Sequence, residues 1–284
     1  MRYTLKKDNL EITADTYGGE LVSVTLNGVE RLRRTQTGDW DRHAPPLFPV
    51  CGHCEMLVEG KDYSIPAHGF ASKKEFVLKE KGEDFLAFLL ESDEETRKVY
   101  PFDFSFETKY EIQGNQLTIS QTVKNVGEKP LYFSLGGHES FALDKPLDQY
   151  ELAFEKEEEL IHHYHSGNTG CLTGKTEDFG KRDRLILPVD FLVDSLTIIF
   201  PCLKSRKVSL KEVGEQGKTL ANITFDGFEN LLLWRDIDGE FICIEPWLNL
   251  PDTVGETKEF SEKKGVVKLG KNKTKTFIRT IEYL

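Results

Sequence analysis

From residue 104 to 112 the chain alternates, with Phe104, Phe106, Thr108, Tyr110 and Ile112 on one side and Ser105, Glu107, Lys109 and Glu111 on the other. Successive side chains of a β-strand point to opposite faces, so this stretch predicts a half-buried antiparallel strand. Gly114-Asn115 then turns the chain, after which Leu117, Ile119 and Val123 oppose Thr118, Ser120, Thr122 and Lys124. Residues 127–130 mark the next turn, before Leu131, Phe133 and Leu135. Asn27-Gly28, Gly60-Lys61, Lys81-Gly82 and Asp238-Gly239 separate further strand-like runs in the same way. No long helical period and no regular repeat is visible, and residues 189–195 are the one modest helix candidate. Without a Pro- or Ser-rich linker, the pattern predicts an all-β chain folded as one large antiparallel β-sandwich domain over residues 1–284.

One apolar run carries an acid. In Phe241-Ile242-Cys243-Ile244-Glu245-Pro246-Trp247-Leu248, strand alternation puts Phe241, Cys243 and Glu245 on one face and Ile242 and Ile244 on the other. Glu245 is then either a buried ion pair or strand-end cap, or a general base whose pKa rises because apolar surroundings resist its ionisation.

Composition narrows the partners. Lys and Arg total 37 against 48 Asp and Glu, a formal charge of -11 spread along the chain, which argues against nucleic acid and anionic membrane surfaces. No run approaches the ~18 apolar residues of a membrane span, and the first residues hold no apolar signal core, so a cytoplasmic protein is expected. The 5 Cys, odd in number and scattered, do not form a secreted disulfide framework. The 19 Phe suit packed sheets within 284 residues.

Two histidines sit beside glycines at strand ends. Leu135-Gly136-Gly137-His138-Glu139-Ser140-Phe141 follows a strand, its paired glycines letting the backbone bend, and Ala67-His68-Gly69-Phe70 follows Pro66. An imidazole titrates near neutrality and can donate a proton to an ether or ring oxygen, which complements a carboxylate base. Cys51-Gly52-His53-Cys54 matches a disulfide-exchange tetrapeptide, but proline-rich sequence precedes it where a thioredoxin-like site needs a helix N-terminus in a βαβ unit. A zinc site joining these cysteines to His162, His163 or His165 lacks a second ligand pair of finger-like spacing. The Gly-Lys-Thr triplets at 174–176 and 217–219 lack the earlier glycine of a phosphate loop.

Read together, Phe48-Pro49, His68-Gly69-Phe70, Gly136-Gly137-His138-Glu139-Ser140-Phe141 and Cys243-Ile244-Glu245-Pro246-Trp247 resemble the aldose 1-epimerase family, particularly its LacX-like branch. The resemblance implies a large antiparallel β-supersandwich of the galactose mutarotase type, with a sugar cleft on one sheet. It implies that His138 protonates the ring oxygen of a pyranose while Glu245 takes the proton of the anomeric hydroxyl, that His68 binds substrate oxygens, and that Asp194, with Asp190 as a rival, accepts a sugar hydroxyl. Trp247 could stack on the sugar or belong to the core. The implied function is mutarotation of a free aldohexose, without metal or other cofactor, by a monomer or homodimer. LacX-like sequences usually carry Arg where this chain has His53, and often where it has Ser72, and Arg is the rigid fork suited to a phosphate. A hexose 6-phosphate mutarotase and a non-catalytic carbohydrate-binding or regulatory protein on the same fold are the alternatives, beside a redox or zinc protein built on Cys51 and Cys54.

Overall fold

The computed structural model describes residues 1–34, 40–194, 196–236 and 239–284, without the side chains of residues 191, 193 and 194. The alternating segments form strands Phe104–Gln113 and Gln116–Asn125, paired antiparallel about residues 114–115, with burial alternating along each. They lie inside a nine-stranded sheet in the order Leu172–Ile186, Tyr150–His165, Lys207–Glu212, Thr219–Thr224, Thr274–Tyr283, Gln116–Asn125, Phe104–Gln113, Phe85–Glu91, Val77–Lys81. A four-stranded sheet of Glu139–Ala142, Phe241–Trp247, Asn230–Trp234 and Thr197–Phe200 packs against it, and a second four-stranded sheet is built from Arg2–Lys7, Leu10–Asp15, Glu20–Leu26 and Val29–Glu30. All these ladders are antiparallel, which bears out the all-β expectation.

The turn chemistry holds as well. Asn27 and Gly28 both take positive φ, 53° and 79°, between Glu20–Leu26 and Val29–Glu30, the backbone that a tight hairpin with right-handed strand twist requires. The turn expected at Asp238-Gly239 falls partly outside the described residues. The helix expected at 189–195 is present as Val189–Asp194, and Ser195 lies outside the described residues. A second helix, Glu94–Val99, was not expected. It is short, but Asp93 caps it: the carboxylate accepts from the Thr96 N–H at 2.6 Å while the Thr96 hydroxyl accepts from the Asp93 N–H at 2.8 Å.

Aromatic packing carries the site into place. Phe48 stacks on Phe106 of the large sheet, centroids 4.4 Å apart, and meets Phe104 and Phe70 edge-on. Removing one such buried ring costs about 3–5 kcal/mol, so the segment running from Phe48 to Phe70 is fixed to the sheet and His68 with it. On the other side, Tyr283 of the large sheet packs on Phe141, and Arg279 reaches across the core to Glu139. Tyr150–His165 and Leu172–Ile186 form a long ribbon at the sheet edge, whose outer strand is exposed along most of its length. Its charged side chains suit an edge that must not pair with another chain. No helix among the described residues is long and apolar enough to cross a membrane.

Candidate active site

Strand register explains why His138 and Glu245 meet. Glu139 is the cross-strand partner of Ile244, so His138, one residue earlier, arrives opposite Glu245. His138 Nε2 lies 3.5 Å from Glu245 Oε2, with both side chains almost wholly buried. Phe241–Trp247 is buried at every position, and Glu245 is therefore an acid inside a strand covered on both faces. The glycines before His138 serve a different end from the bend expected of them. Neither has positive φ; a Cβ on Gly136 would come within 2.7 Å of the Trp247 ring, and one on Gly137 within 2.4 Å of the Glu139 carboxylate and 2.6 Å of Arg279. Close approach, not backbone freedom, is what they supply.

His68 sits across from His138, ring centroids 5.7 Å apart, and packs edge-on against Trp247. Its φ of 66° is unusual for a residue with a side chain and is held by two bonds to one residue. The His68 N–H donates to the Gly52 carbonyl at 3.0 Å, and the Gly52 N–H donates to His68 Nδ1 at 3.2 Å. Because Nδ1 accepts, the neutral ring carries its proton on Nε2 and offers the cleft a donor. Enclosure by the cleft wall lowers its pKa to about 4, so it stays neutral at working pH.

Burial also sets the charge state of the central pair. It pushes the Glu245 carboxyl well above the ordinary value, with repulsion from the Glu139 carboxylate adding to the effect. It pushes His138 well below its ordinary value, with the neighbouring His68 contributing. The rise at Glu245 agrees with the sequence reading, whereas His138 is a weaker base than a neutral-range acid–base residue would be. Both shifts favour the uncharged form of each group, a protonated carboxyl beside a neutral imidazole. Moving the carboxyl proton across 3.5 Å gives the imidazolium–carboxylate form with the same proton count.

These groups form the floor of a cleft of about 800 Å³. All 3 tryptophans of the chain line it: Trp40 is stacked on the His138 ring at 5.1 Å, Trp234 meets that ring edge-on at 5.6 Å, and Trp247 flanks His68. Trp40 and Trp234 escaped the sequence reading because no motif contains them; the scarcity of tryptophan was the available signal. His53 and Ser72 also line the cleft, as do His165, Asn168, Thr169 and Gly170 from the tip of the long ribbon. Of the expected hydroxyl acceptors, Asp194 has its side chain outside the described residues, and Asp190 is exposed and away from the lining. Asp41 and Asn168 line the cleft and carry a carboxylate and an amide oxygen able to accept a hydroxyl.

The tetrapeptide at 51–54 has the opposite character to a redox motif. Cys51 is fully buried, its N–H and carbonyl both bonded to the Asn249 side chain, and burial pushes its thiol up. Cys54 is pushed up to about 12 by the same cause. Neither is the accessible thiolate that disulfide exchange requires. His162 Nδ1 accepts from the Ile199 N–H at 2.9 Å, and these cysteines join no metal-binding cluster among the described residues.

Comparison with known proteins bears on the fold and the family. Protein LacX (chromosomal) of Lactococcus lactis subsp. lactis is 28% identical over 285 residues, covering 95% of both chains. The structure of a galactose mutarotase related enzyme from Lactobacillus acidophilus superposes with a TM-score of 0.91 at 25% identity, covering 100% of this chain and 97% of that one. A galactose mutarotase-like protein from Lactobacillus casei gives 0.88 at 25% identity, with 100% of both chains covered. The fold is thus the galactose mutarotase-like β-supersandwich. With the sequence profile of aldose 1-epimerase matching residues 1–195, the chain belongs to the aldose 1-epimerase family.

Proposed function

We propose that the protein is a mutarotase that interconverts the α and β anomers of a free aldohexose, with His138 and Glu245 exchanging one proton with the sugar. The observation that carries this reading is the buried 3.5 Å contact between the two groups at the base of a tryptophan-walled cleft. The ring oxygen and anomeric hydroxyl of a pyranose are bonded to the same carbon, so two groups this close can address both oxygens. One group donates to the ring oxygen while the other takes the hydroxyl proton. The C1–O5 bond breaks, the C1–O1 bond becomes a carbonyl, rotation about C1–C2 presents the other face, and closure returns both protons. The pair holds the same number of protons before and after, so it is ready for either direction. In this reading His68 Nε2–H donates to a substrate oxygen, and the indole rings supply flat apolar surface for the C–H face of a sugar.

Among the described residues one guanidinium lines the cleft beside Lys73, that of Arg42, and it is engaged with Glu20 at 3.2 Å and with the Tyr17 ring at 4.8 Å. With His53 and Ser72 in place of the usual arginines, this favours an unphosphorylated sugar. The test is NMR of anomer exchange over a panel of free and phosphorylated aldoses, with sugar binding measured on the same sample. Acceleration for a free hexose, abolished in Glu245→Gln, is expected. Binding without acceleration for every sugar would assign the protein to carbohydrate sensing instead.

A further inference from the structure

The same strand alternation that aims Glu245 at His138 brings a third donor to the spot. Cys243 lies two residues earlier on the same face, fully buried, opposite Ser140 and Trp234 in the flanking strands. His138, Cys243 and Glu245 thus present an imidazole nitrogen, a sulfur and a carboxylate oxygen, all within 4.8 Å of one another. Glu245 Oε2 is buried and has no hydrogen-bond partner among the described residues. The 3.5 Å between His138 Nε2 and Glu245 Oε2 is close to the roughly 3.3 Å that a nitrogen and an oxygen span on one tetrahedral zinc ion, given bond lengths of ~2.0–2.1 Å.

We propose that His138, Cys243 and Glu245 form a three-ligand site for a thiophilic divalent cation of the zinc type, with its fourth position open to the cleft. Charge favours this: a thiolate and a carboxylate neutralise a dication, so the loaded site buries no net charge. Imidazole contributes the lone pair of Nε2. On binding, the thiol and the carboxyl each release a proton to solvent, and bonds from the metal to sulfur and oxygen replace the S–H and O–H bonds. Nitrogen, sulfur and one carboxylate oxygen with a vacant fourth position is a donor set that zinc accepts and magnesium or calcium does not. The cation is not a participant in the reaction. It occupies the lone pair and carboxylate oxygen that would move the proton, so metal loading and turnover exclude each other, a consequence that rests on the acid–base roles proposed above.

The test uses Co²⁺ as a spectroscopic probe and Zn²⁺ as its competitor. Wild-type protein titrated with Co²⁺ should develop a thiolate-to-cobalt charge-transfer band that saturates at one equivalent and disappears on adding Zn²⁺. Cys243→Ala should lack the band, as should the near-isosteric Cys243→Ser if the alanine variant packs poorly, whereas Cys51→Ser with Cys54→Ser should retain it. In anomer exchange, Zn²⁺ should inhibit the wild type reversibly, with EDTA restoring the rate. Measured against its own metal-free rate, Cys243→Ala should need more than ~10–100-fold more Zn²⁺ for the same fractional inhibition, since losing a ligand costs more than losing a partner behind one. A band that survives in both Cys243 variants, or no band in wild type, overturns the site. Metal bound through Cys243 with turnover unaffected would uphold the site and remove His138 and Glu245 from proton transfer.

Discussion

Arg279→Met should destabilise the fold by about 3–5 kcal/mol, the usual cost of stripping one partner from a buried ion pair. Arg279 is 2% and Glu139 4% exposed; the guanidinium donates to Glu139 Oε1 at 2.6 Å and to Gln121 Oε1 at 2.7 Å. Methionine fills similar volume, so the loss is electrostatic: the Glu139 carboxylate is left in the core without its cation. For a chain of this size the change corresponds to a fall in Tm of about 5–8 °C. The native network is itself imperfect, because Arg279 Nε and Gln121 Nε2 are buried without hydrogen-bond partners among the described residues. Removing both charges in Arg279→Met with Glu139→Leu should therefore recover most of the stability, giving a double-mutant coupling of several kcal/mol. The functional readout has a definite sign. Glu139 already repels the charge on Glu245, so an uncompensated carboxylate should raise the proton affinity of the His138–Glu245 pair and move the whole pH–rate profile to higher pH. The double variant should move it back. Urea unfolding and pH profiles of kcat/KM on the four proteins decide the matter. A single-variant loss below about 1 kcal/mol, or a double variant as unstable as the sum of the singles, would refute the reasoning.

Four further outcomes follow from the site. Glu245→Gln should reduce anomer exchange by roughly 10²–10⁴-fold with Tm preserved, because the amide keeps the shape and cannot act as a base; near wild-type turnover would exclude Glu245 from the mechanism. His138→Asn should lower kcat comparably and weaken sugar binding less, so a rise in KM alone would make His138 a binding residue. The wild-type profile should be a wide bell, its acid limb below the ordinary imidazole range because burial lowers His138 and its alkaline limb above the ordinary carboxylate range because burial raises Glu245; a profile flat from pH 4 to 10 in wild type and both variants would show that proton transfer does not limit the rate. Cys51→Ser with Cys54→Ser should keep activity in the absence of added metal, measured by polarimetry, and a loss with the fold intact would return those thiols to the chemistry.

Local pattern made some of this architecture readable and left the rest to tertiary structure. Residues 104–112 showed their strand because one face is core and the other solvent, and Glu245 stood out because a charge in an apolar run has few ordinary uses. The ribbon from Tyr150 to Ile186 showed no such pattern, since its outer strand has little core to face and its side chains are mostly charged or polar. Gln121 sits on the apolar face of Gln116–Asn125, and the reason lies 158 residues away at Arg279. Trp40 and Trp234, with ring centroids 4.9 Å apart, likewise meet only through folding. Glu94–Val99 is too short for a period to declare itself, although its cap residues were readable.

The long ribbon bears on how a member of this family changes over generations. Its pairing slips register at three places, Ala153/Glu158, Glu159/Ile161 and His163/His165, and substitutions on its exposed outer strand disturb little of the core. Its tip nevertheless forms one wall of the cleft, with Gly170 against His53. Insertions and exchanges near residues 165–170 are therefore cheap in stability and direct in their effect on which sugars enter. The floor that carries His138 and Glu245, locked between covered strands, has no such freedom. Mutational drift is thus channelled toward substrate range and away from chemistry.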